Sequence, residues 1–102
     1  MKVISRKMLK EFWEQDSYSD AEQPLKAWFD EAQKADWKTP QDVKDKYASA
    51  SIIKNNRVVF NIKGNDYRLV VAIAYKIQVV YIKFIDTHAV YDTVDATTVD
   101  RS

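Results

Sequence analysis

The chain has 102 residues, 46% of them aliphatic or aromatic, which suits one domain over residues 1–102 and is too short for two. It has no cysteine, so a disulfide framework, a thiolate nucleophile and thiolate-bound zinc or iron–sulfur centres are excluded. The net charge of +1 hides an uneven split: nine Lys/Arg against ten Asp/Glu in residues 1–50, six against one in 51–85, and one against four in 86–102.

The N-terminal stretch "MKVISRKMLKEF" is too charged for a signal core, and no run approaches the roughly 18 apolar residues of a spanning helix. A soluble cytoplasmic protein is expected. Lys2 to Ile4 can form a short edge strand. Met8, Leu9, Phe12 and Trp13 then recur at helical spacing between Arg6 and about Gln15. "SDAE" at Ser19–Glu22 has the pattern of a capping box, with Pro24 in the first turns of a helix ending near Ala35. Leu25, Trp28, Phe29 and Ala32 share its apolar face. "TPQD" at Thr39–Asp42 opens another helix, with Thr39 as cap and Val43 and Tyr47 facing inward.

After "ASAS" the period changes from helical to alternating. Val58–Ile62, Tyr67–Tyr75 and Val79–Ile85 are rich in Val, Ile, Tyr and Phe and read as three strands of an antiparallel meander. "KGND" supplies the first turn and "YKIQ" the second. Helices followed by strands predict an α+β fold, N-terminal helices packed on one face of a small twisted antiparallel β-sheet.

Alternation places Asn61, Lys63 and Arg68 on one face, with Asn61 or Lys63 opposite Arg68 according to the hairpin register. Phe60, Ile62, Leu69, Val71 and Ile73 belong to the other face, under the helices. A two-residue turn at Lys76-Ile77 adds Tyr81 and Lys83 to the Arg68 face and sends Ile82 and Phe84 to the core. Val70, Ala72 and Ala74 are small enough to leave a shallow hollow between the cations. Lys54, Arg57 and Lys76 complete the positive set of residues 51–85, and such a concentration suits an anionic partner.

Past the last strand, "THAVYD" holds His88, the only histidine, three residues before Tyr91. One histidine among scattered aspartates is not a metal ligand set, and no nucleophile elbow is present. Internal cleavage of RNA fits these residues better. It needs a base for the 2′-hydroxyl, cations for charge building on the phosphorus oxygens, and an acid for the leaving 5′ oxygen. Arg68 has the planar fork suited to phosphate, with Lys83 or Lys63 beside it. His88 can move a proton near neutrality, and Tyr91 can stack on a base or hold the attacking hydroxyl.

"VVFNIKGNDYRLVVAIAY", with "FIDTHAVYD" further on, resembles the HigB family of bacterial toxins within the RelE/ParE superfamily. "VISRKMLKEFWE" and "DAEQPLKAWFDEAQKADWKTPQDVK" extend the likeness over nearly the whole chain. The resemblance implies a toxin of a type II toxin–antitoxin pair with the RelE-like fold. It implies a ribosome-dependent mRNA interferase that cuts translated messenger RNA without metal or other cofactor. It also implies a HigA-like helix-turn-helix antitoxin that holds operator DNA, and no membrane role. By position, the family's strand arginine is Arg68, its C-terminal histidine and tyrosine are His88 and Tyr91, and its first-strand asparagine is Asn61. Asp86 stands before Thr87-His88 where such toxins commonly have a small residue, and Asp66 is an acid at the hairpin tip. A gyrase poison of the ParE branch and a binding module for RNA or antitoxin without chemistry are the alternative readings.

Overall fold

The computed structural model describes residues 1–102. Strand β1 (Lys2–Ile4) leads into helix α1 (Arg6–Trp13), a 3-10 segment (Asp16–Ala21), α2 (Glu22–Lys34) and α3 (Pro40–Lys46). Strands β2 (Ser51–Ile53), β3 (Arg57–Ile62), β4 (Tyr67–Ala74) and β5 (Val79–Thr87) follow, and α4 (His88–Tyr91) closes the element order. The sheet runs β1-β5-β4-β3-β2. The α+β class is as expected, but the sheet is mixed, because β1 pairs parallel to β5. No helix is long and apolar enough to cross a membrane.

Local chemistry accounts for most of the boundaries. Thr39 caps α3: its hydroxyl accepts from the Asp42 amide at 3.3 Å, and the Asp42 carboxylate accepts from the Thr39 amide at 3.2 Å. The box expected at Ser19–Glu22 does not form. Ser19 lies inside the 3-10 segment, and Ala21 holds the cap position of α2 without a side-chain hydrogen bond. The second turn is centred on Lys76-Ile77 as expected, with Ala74 facing Val79. Strand β2 adds an edge strand to the expected meander. Its turn uses Asn55 and Asn56 at φ of 63° and 56°, a conformation asparagine tolerates well.

The helices cover one sheet face through Leu9, Leu25, Trp28 and Val43, all buried against Phe60, Leu69, Ile73 and Ile82. The other face departs from simple alternation. Between Val70 and Val71 the register with β5 slips, so that Val71 faces Ile82 while Val70 faces Phe84 and Lys83 is extra. This bulge moves Phe84 from the expected helical core to the opposite face. There Val59, Val70 and Phe84 form a second cluster, covered by Val94, Ala96 and Val99 of the C-terminal tail. The hollow expected over Val70 is therefore filled.

Arg57 fastens that tail. The residue is 8% exposed, and its guanidinium donates to the carbonyls of Ala96 at 3.1 Å and Val99 at 2.5 Å. Asn55 Nδ2 adds a bond to the Thr97 carbonyl at 2.8 Å. The final residues then reach the free edge of β5 beyond β1, where the Arg101 amide donates to the Lys83 carbonyl at 2.8 Å.

Candidate functional site

Arg68 is the second residue of β4, immediately past the hairpin tip. The tip takes the register in which Asn61 faces Arg68, with Gly64 at φ +64° and Lys63 at φ +52° making the reversal. Glycine is at home there. The Arg68 guanidinium donates to the Asn65 carbonyl at 3.1 Å and lies 5.9 Å from the centre of the Tyr91 ring. Tyr91 is half-buried and tilts against Phe84 at 6.2 Å.

Helix α4 is docked on the same tip. Thr87 caps it, accepting from the Val90 amide at 3.2 Å, and the otherwise unpaired His88 amide donates to the Asp66 carbonyl at 3.1 Å. The His88 imidazole is exposed, with Nε2 at 3.3 Å from Asp92 Oδ1. Hairpin carbonyls thus hold both Arg68 and the turn that carries His88 and Tyr91. Arg68, His88, Tyr91 and Asn61 gather at this end of the sheet.

The other expected residues are placed elsewhere. Lys63 leaves the Arg68 face: its positive φ turns the ammonium to Asp20 at 2.6 Å and Asp66 at 3.4 Å. Arg57 is buried under the tail. Lys54 and Lys76 are exposed in the turns at the far end of β3 and β4. Lys83, the extra residue of the bulge, lies 5.7 Å from the Tyr81 ring and pairs with Asp100 at 3.1 Å. Tyr81 and Lys83 line a groove with Ile4, Lys7, Met8 and Arg101. They form a second group, next to β1 and α1, that meets the Arg68 end of the sheet through Arg101.

Two acids explain the electrostatics. Asp20 joins the helical layer to the tip: its carboxylate accepts from Lys63 and from the phenol of the buried Tyr67. These bonds hold Asp20 below the usual carboxylate range. Burial, then the bond to Asp20, pushes the Tyr67 phenol up to about 12. Asp100 accepts from the Ser102 hydroxyl and amide and from Lys83, which lowers it to about 2. Because Asp20 is lowered from 3.8 and Lys63 raised from 10.5, the pair contributes fully between those values. Its contribution is lost as pH falls through the depressed folded value of Asp20. Urea midpoints of the wild type and Asp20→Asn are expected to differ at neutral pH and converge well below pH 3.8.

Asp86 is the residue the bulge brings opposite Arg68. Without the slip Ile85 would face Arg68; with it Asp86 does. Its carboxylate accepts from the Thr87 amide at 2.7 Å and pairs with Arg101 at 2.9 Å. The Arg101 guanidinium also lies 4.4 Å from the Phe84 ring. Arg101 has no motif around it in the sequence, and only the closing of the tail brings it to the site.

A family model for HigB toxins, the RelE-like toxic component of a toxin–antitoxin system, matches residues 21–94. No curated protein matches the chain. The matched segment takes in α2, the hairpin that carries Arg68 and the turn that carries His88 and Tyr91, well over half of the sequence. The protein belongs to the HigB toxin family: it is the toxic component of a toxin–antitoxin system, whose partner is an antitoxin.

Proposed function

We propose that the protein is a ribosome-dependent mRNA interferase, an endoribonuclease that cuts translated messenger RNA by attack of a 2′-hydroxyl on the adjacent phosphorus. The supporting observation is the shared hairpin tip, whose Asn65 and Asp66 carbonyls hold the Arg68 side chain and the His88 amide, with the Tyr91 ring 5.9 Å from the guanidinium.

In the proposed reaction the new bond joins the 2′ oxygen to phosphorus and the bond to the 5′ oxygen breaks. The products are a 2′,3′-cyclic phosphate and a 5′-hydroxyl. One proton leaves the attacking hydroxyl and one reaches the leaving oxygen, and His88 carries one of these transfers. The Arg68 fork stabilises the charge that grows on the two non-bridging oxygens. Tyr91 offers a stacking face or its hydroxyl to the nucleotide, and Asn61, opposite Arg68, lies within reach of the same strand. A HigA-like helix-turn-helix antitoxin would be the partner that neutralises the toxin and holds operator DNA.

The test is cutting on ribosomes programmed with a short message, with RNA ends mapped. Wild type is expected to give ribosome-stimulated cuts, and His88→Ala about 10²–10⁴-fold slower ones. No ribosome-stimulated cuts by wild type, or an unchanged rate for His88→Ala, overturns the assignment.

One observation favours a damped form of this activity. Lys83, a cation expected to serve RNA, is already held by Asp100 at 3.1 Å. Asp100→Asn is expected to free that ammonium and raise affinity for a single-stranded RNA about threefold, by analogy with one surface charge pair. Fluorescence anisotropy at two salt concentrations measures it, and the gain should shrink at the higher salt.

A further inference from the structure

Two arginines flank one carboxylate at this site. Arg68 and Asp86 are directly opposed across β4 and β5 on the same face. Opposed residues have Cβ atoms about 4.5–5.5 Å apart, well within reach of an arginine–aspartate ion pair. Yet Arg68 makes no ion pair, and its one hydrogen bond goes to the exposed Asn65 carbonyl. The Asp86 carboxylate is occupied instead by Arg101 at 2.9 Å and by the Thr87 amide at 2.7 Å.

Arg101 is held in place on three sides. Its amide bonds to the Lys83 carbonyl, its guanidinium lies 4.4 Å from the Phe84 ring, and Arg57 anchors the tail before it at Ala96 and Val99. The Asp86 side chain is only 18% exposed, while that of Arg101 is 44% exposed and leaves the pair open to solvent on one side. With Arg101 gone, the guanidinium facing that carboxylate across the two strands is that of Arg68. An arginine forked onto aspartate has few donors left for phosphate.

We propose that Arg101 is a positioning residue: by sequestering Asp86, the C-terminal tail keeps the Arg68 fork free for an anion, the RNA phosphate of the activity proposed above on which this inference rests. The bulge in β5 makes the device necessary, since it is the slip that sets Asp86 rather than Ile85 opposite Arg68. The tail supplies the remedy.

A charge-partition cycle tests it. Arg101→Ala is expected to cut about tenfold more slowly on programmed ribosomes, in the range of coupling between neighbouring charges. Asp86→Asn alone should cut like wild type. The double variant Arg101→Ala/Asp86→Asn should recover the rate, because no carboxylate is left to claim Arg68, and Arg101→Lys should keep most of it. An unchanged rate in Arg101→Ala, or a loss that Asp86→Asn fails to rescue, overturns the proposal. A structural role for the tail would not be rescued by removing a second side chain.

A second readout needs no ribosome. The Nε–Hε resonance of Arg68, assigned by its disappearance in Arg68→Ala, should shift in Arg101→Ala and return in the double variant. Wild type that fails to cut RNA would overturn the proposed activity while this resonance still reports who holds Asp86. A resonance unmoved in Arg101→Ala would overturn the positioning role even where cutting is observed.

Discussion

Arg68→Ala is expected to slow ribosome-stimulated cutting by about 10²–10³-fold, the cost of removing one well-placed donor to developing oxyanion charge. The residue is half-buried between Asn61 and the Tyr91 ring, so its charge acts in surroundings less polar than water. Its contribution to folding is small by comparison. The one hydrogen bond it makes goes to an exposed carbonyl at 3.1 Å, and losing it costs at most about 1.5 kcal/mol. Rate and stability should therefore separate in this variant, with the chemical step falling while the urea midpoint barely moves. Arg68→Lys should fall between the two, since an ammonium keeps the charge and loses the fork. Cutting by Arg68→Ala at the wild-type rate would remove the guanidinium from the chemistry.

Phe84→Ala is expected to have the largest effect on stability, about 3–5 kcal/mol. Its ring is fully buried beneath the tail against Val59 and Val70. That is a large part of the roughly 5–15 kcal/mol that holds a small domain folded. The loss has a second signature. Arg101 stacks on this ring, so the tail should loosen, and exchange of the Arg101 amide, bonded to Lys83 O, should accelerate more than exchange in β3. Urea unfolding and amide exchange together check both parts. Destabilisation below about 1 kcal/mol would mean that the tail does not pack on this face as described.

Much of the helical layer was legible because its signals are local. The Thr39-Pro40 start of α3 follows from a side chain that reaches an amide three residues away. The apolar faces of α1 and α2 follow from spacing alone. Lys63 departs from its expected face for the opposite reason: strand parity ends where φ turns positive, and its partner Asp20 is 43 residues away.

Residue type and alternation alone determined that three strong strands follow the helices, that Arg68 stands opposite Asn61 or Lys63, and that His88 and Tyr91 project from one short turn. They could not determine which of the remaining cations stay free. That depended on a one-residue slip at Lys83, which reverses the faces of Phe84, Ile85 and Asp86 together. It depended also on a polar-looking tail whose Val94, Ala96 and Val99 have no partner until the sheet exists. Both are contacts between distant segments, stabilised by burial and pairing that no local window contains. Tertiary structure therefore decided that Arg57 is structural, that Lys83 is paired, and that Arg101 lies beside Asp86.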